Sequence, residues 1–140
     1  MSRNKLSVRL RGELPPSEDL TRLLGVAPTV DRRRGMPSIG SGGVQTMDVW
    51  AVELAKWESV RADEQMMQQA IATLRKMIPG LTTLDRSRCH AELYMSSIRD
   101  EEWGGFDLPS DIIAAAGEAK LELIVSILVS WPSDDEEMEM

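Results

Sequence analysis

Arg32-Arg33-Arg34, followed by Gly35, is the densest concentration of chemistry in the chain. Guanidinium forks bind carboxylates and phosphates through paired hydrogen bonds, so a run of them on an irregular segment could clamp an anion or meet a partner's acids. A phosphate-cradling loop also needs a lysine and a strand-to-helix setting, and the stretch from Gly35 to Gly43 has neither. The single cysteine, Cys89, is followed by the single histidine, His90. On a strand, neighbours point to opposite faces, which bars the two from acting together as nucleophile and base. A lone histidine makes no metal site without carboxylates from elsewhere, and Asp100-Glu101-Glu102 lacks the alternating ligands and turn glycine of a calcium loop. No catalytic set, metal or cofactor is therefore expected. Trp57 and Trp103 fall in polar connections, and tryptophan and arginine are enriched at interface hot spots. Arg32, Arg33, Arg34, Trp57 and Trp103 are accordingly the candidate partner-binding residues.

Charge divides the chain. The net charge is −7, but residues 1–35 hold eight basic and four acidic side chains, leaving +4 there and −11 in the remainder. An acidic body repels a phosphate backbone and attracts a basic protein, so nucleic acid is disfavoured as a partner. One cysteine excludes an intramolecular disulfide. No apolar run approaches the roughly 18 residues of a membrane span and no signal-like segment opens the sequence, so the expected compartment is the cytoplasm and no membrane association is expected.

The 140 residues suit one domain, read as 1–132 with a disordered acidic tail over 133–140, where five of eight residues are acids. Lys5 to Arg11 alternates as a strand, with Leu6, Val8 and Leu10 on one face. Pro15-Pro16-Ser17 opens a helix carrying Leu20, Leu23 and Leu24 that Gly25 ends. Ala27 to Met47 has no sustained period and reads as a long loop or hairpin; Val49 to Leu54 resumes as a strand, with Lys56 to Arg61 a polar connection. Asp63 to Ile78 is the longest helix, stopped by Pro79-Gly80. Arg88 to Ile98 alternates again, placing Cys89, Ala91, Leu93 and Met95 on the core side and His90, Glu92 and Tyr94 on the surface side. A short helix runs from Leu108-Pro109-Ser110 to Gly117. Lys120 to Ser130 is the fourth strand, apolar on both faces, which predicts a central strand or a dimer contact and leaves a homodimer open. These elements predict an α+β single domain, with a four-stranded, mainly antiparallel sheet packed against one long and two short helices.

Leu20-Thr21-Arg22-Leu23-Leu24-Gly25-Val26-Ala27-Pro28-Thr29, then Gly35, Trp50 opening a strand, and Gly104-Gly105-Phe106-Asp107-Leu108-Pro109-Ser110-Asp111-Ile112 form a pattern in fixed order. It resembles a bacterial domain-of-unknown-function family, number 4279. The resemblance implies bacterial origin and a small single-domain fold, some small acidic bacterial proteins of this general kind being immunity proteins to secreted toxins. The function expected is non-catalytic protein binding, most concretely an immunity-type protein that occludes the active site of a basic toxin. The alternative is a small-ligand or nucleotide-binding regulatory domain using Arg32 to Arg34 as an anion clamp.

Overall fold

The computed structural model describes residues 2–38, 42–100 and 105–129. Strand β1 (Ser2–Gly12) is followed by helix α1 (Ser17–Leu24), a short strand β2 (Val30–Arg32) and the long strand β3 (Asp48–Trp57). Helix α2 (Glu64–Leu81), strand β4 (Cys89–Arg99), helix α3 (Ser110–Glu118) and strand β5 (Glu122–Val129) complete the order. The helices are 8, 18 and 9 residues long.

β1 is the centre of the sheet, which runs β2-β3-β1-β4-β5, because β3 and β4 pair with its two edges. Leu6, Val8 and Leu10 are fully buried beneath the helices, while Arg3, Lys5, Arg9 and Arg11 share the opposite face. β3 and β4 both pair antiparallel with β1, so they run parallel to each other with β1 between them and α2 as the crossover. β5 pairs parallel with β4, a geometry that needs a crossover, and α3 supplies it. The sheet is therefore five-stranded and mixed where four mainly antiparallel strands are expected: three of its pairings are antiparallel and that of β4 with β5 is parallel. The added strand, β2, lies within the segment read as loop, where three residues pair Val30 with Ala51 and Arg32 with Val49. Such a short run carries no periodicity of its own; its partner strand defines it. The two-sided apolar strand β5 is an edge strand, not a central one.

A bulge in β3 decides which residues reach the core. Leu6 pairs with Ala55 and Ser7 with Glu53, so Leu54 is an extra residue. The bulge reverses the facing of everything beyond it: Trp50 and Val52 point inward before it, Ala55 and Trp57 after it. Trp57 is therefore the last residue of a strand and a core side chain, only 6% exposed, not an indole in a polar connection.

Local signals explain the helices. Glu18 and Asp19 occupy the first turn of α1, favoured by the helix dipole, and Gly25 ends it at φ 76°, its N–H donating to the Thr21 carbonyl at 2.8 Å. α2 buries Met67, Ala70, Leu74 and Met77, but continues through Pro79 to Leu81 where a stop is predicted. In the last turn a proline forfeits a single hydrogen bond. Gly80 then permits close packing, because a Cβ there would stand 2.5 Å from the Leu23 carbonyl oxygen of α1. Arg86 closes the far ends of α2 and α3: Nη2 donates to the Leu81 and Ala119 carbonyls at 3.0 and 2.8 Å, and Nη1 to that of Lys120 at 2.6 Å. No helix among the described residues is long and apolar enough to cross a membrane.

Candidate functional site

At the opposite end of the helical layer, the starts of α2 and α3 flank a cleft of about 590 Å³. Buried polar contacts hold its wall. Ser97 Oγ donates to Asn4 Oδ1 at 2.7 Å, and Asn4 Nδ2 donates to the Ser59 carbonyl at 2.9 Å, tying the β3–α2 connection to the centre of the sheet. The Asp107 N–H donates to the Val60 carbonyl at 2.9 Å, which fixes the approach to α3 against the same connection. Met67, Ile71, Leu108 and Pro109 give the cleft an apolar lining, and Glu64, Asp107 and Asp111 add three carboxylates. Among the described residues of the lining Arg61 is the one cation, and its Nη2 lies 3.0 Å from Asp107 Oδ2. Both members of that pair are largely exposed, so it contributes little to stability.

A second cluster lies on the helix-free face of the sheet. Glu92 stands opposite Arg9 on β1, and its side chain is fully buried although the strand alternation places it on the surface side. The guanidinium groups cover it: Arg9 Nη2 lies 2.7 Å from Oε2 and Arg11 Nη2 lies 2.6 Å from Oε1, each Nε adding a bond at 2.8 Å. Burial works to raise the Glu92 pKa, but the hydrogen bonds from Arg11 and Arg9 and their charges outweigh it and hold the carboxyl below its ordinary range. Arg9 also stacks over Tyr94, its Cζ 3.9 Å from the ring centroid. Both guanidinium groups on β1 bond this one carboxylate on β4, so the arrangement braces β1 against β4.

The arginine loop is organised from within. Asp48 accepts from the Arg34 N–H at 2.9 Å and the Leu14 N–H at 3.0 Å, with Arg33 Nη1 at 3.7 Å. Burial opposes ionisation there, yet these two N–H groups and the Arg33 and Arg34 charges lower the Asp48 pKa. Arg33 Nε donates to Asp31 Oδ1 at 2.9 Å and Nη1 to the Pro15 carbonyl at 2.8 Å, while Arg32 Nη2 donates to the Pro37 carbonyl. Gly35, at φ 90°, turns the chain so that its N–H meets the Gln45 carbonyl at 2.9 Å. Arg34 is the exposed member of the three. Arg32 pairs with Val49, eight residues before Trp57 on β3, so the loop and that indole are separated by about 27 Å of strand. The structure does not bring them together; Trp103 and the acidic tail lie outside the described residues.

The family model for Domain of unknown function (DUF4279) matches residues 3–130. The chain belongs to this family. Neither the curated proteins nor the solved structures compared with the chain give a match. In this DUF4279 chain the shared pattern falls on structural points: Gly25 is a left-handed helix stop, Gly35 a left-handed turn, and Trp50 is fully buried. Cys89 is likewise buried, burial raising the pKa of its thiol, in keeping with its place among the apolar residues of β4. Among the described residues no group of three or more His, Cys, Asp or Glu is placed to hold a metal. The cleft residues of this DUF4279 chain escape a reading by motif because the carboxylates come from two separated segments. The available signal is the pairing of an acid with the start of each helix, Glu64 on α2 and Asp111 on α3.

Proposed function

We propose that the chain is a non-catalytic protein-binding protein, most concretely a bacterial immunity-type protein that neutralises a basic toxin by occluding its active site. The observation that carries this reading is the cleft between the starts of α2 and α3, where three carboxylates surround an apolar lining. An arginine or lysine from a partner fits that combination: its aliphatic stem lies along Met67, Ile71 and Leu108, and its charged head reaches Glu64, Asp107 and Asp111. The net charge of −7 supports the same partner, since a negative field accelerates encounter with a basic protein and contributes to specificity. Arg34 is the member of the arginine loop available for a further contact.

Capture of the product of the neighbouring gene, with protection of cells that express it, is the direct test. Reversing two rim charges together, Asp107→Lys with Asp111→Lys, is expected to weaken capture by about tenfold or more, since close interfacial charge pairs couple by several kcal/mol. Both residues are exposed on the surface, so the fold should persist, with the melting temperature lowered only slightly by a cation in the first turn of α3. Undiminished capture by the double variant, or failure of the chain to protect, overturns the reading.

A further inference from the structure

The free edge of β5 has the wrong chemistry for an edge that faces water. From Leu123 to Val129 it carries no charge, no proline and no glycine, and its eight residues pair with β4 in unbroken register. Leu123, Val125, Ile127 and Leu128 are 52%, 45%, 55% and 59% exposed. The other edge of the sheet is protected in the usual ways: β2 is three residues long and includes Asp31 and Arg32. Among the described residues nothing pairs with the outer edge of β5.

We infer that β5 pairs antiparallel with β5 of a second copy, joining two five-stranded sheets into one of ten strands. The sequence of the strand is complementary to itself. With Ser126 facing its own counterpart on a two-fold axis perpendicular to the sheet, Val125 lies opposite Ile127, Ile124 opposite Leu128 and Leu123 opposite Val129. Each apolar residue then meets an apolar residue on its own face, as cross-strand pairing rewards. The antiparallel direction also sends the two Glu122 side chains, the one charge in the strand, to opposite ends, whereas a parallel pairing would stack them. An edge of eight residues is about 27 Å long and, counting both side-chain layers, about 20 Å deep, so two copies bury on the order of 1,000 Å², the lower bound for a specific interface. The inference is independent of the cleft and of the partner proposed for it.

Sedimentation equilibrium of the full chain is expected to give twice the chain mass. Ile127→Lys places a charge on the new contact and should raise the dimer dissociation constant by about tenfold or more, with the far-ultraviolet spectrum unchanged. Val30→Lys, on the opposite edge, should leave the dimer intact. A Ser126→Cys variant in a Cys89→Ser background reads the register, because it should form an intermolecular disulfide under mild oxidation where Lys5→Cys in that background does not. A chain that sediments as a monomer at micromolar concentration, or a dimer that survives Ile127→Lys, overturns the inference.

Discussion

Glu92 is a carboxylate out of contact with water on the helix-free face of a sheet, and its two arginines keep it ionised. Glu92→Gln removes the charge from bonds that otherwise bridge β1 and β4, and should cost about 2 kcal/mol at neutral pH, the scale of hydrogen bonds to charged groups. Because the folded-state pKa is depressed, this stabilisation is fully present above the ordinary glutamate value of about 4.3 and is lost as pH falls through the lower folded-state value. Urea unfolding at neutral pH and at successively more acid values should therefore show the gap between parent and variant closing as the medium is acidified. At the same scale, Trp57 illustrates what a side chain's immediate neighbours in sequence leave out. Its surroundings in the chain are polar, and it becomes core because one extra residue, Leu54, turns the end of β3 over.

Helix ends and close approaches govern the elements. Arg86 is one side chain holding three carbonyl oxygens at the ends of α2 and α3, and Arg86→Ala should destabilise by about 2 kcal/mol in denaturant titration, leaving those acceptors to water. Lys120, which follows α3, adopts φ 55°, so Lys120→Gly should raise stability by up to about 1 kcal/mol by removing a strained Cβ. Gly80→Ala is expected to act in the other direction: its methyl group meets the Leu23 carbonyl oxygen and Leu24 Cδ2, forcing α1 away from α2 and lowering the melting temperature. The helices and strands β1 and β4 are legible from periodicity because each buries a face along its whole length. β2 is not, since three residues become a strand by pairing with β3.

At the scale of the molecule, Asp48 links the start of β3 to the segment after β1 and to the arginine loop, so the loop's basic side chains are divided between internal and external use. Asp48→Asn should release this loop and increase its cleavage by trypsin at Arg32–Arg34 while the sheet remains folded, as limited proteolysis followed by mass spectrometry would show. Arg33 and Arg32 are held by the chain's own oxygens, which leaves Arg34 as the exposed member of the three. The cleft lies elsewhere, where the starts of two helices more than 40 residues apart in sequence converge. Its acids and apolar lining could not be associated by spacing, because the crossover of α2 and the docking of α3 create the proximity.

What the sequence determined by itself was the set of local preferences: the alternation of β1 and β4, the apolar stripe of α2, the glycine stop of α1 and the uneven distribution of charge. Each follows from burying one face at a fixed period, or from a backbone angle that glycine tolerates. Only the tertiary structure decided that β1 lies at the centre, that β5 runs parallel at an edge, that Glu92 is covered by arginines, and that two helix starts enclose a cleft. These depend on pairings between residues tens of positions apart, whose energies are realised once the chain closes on itself.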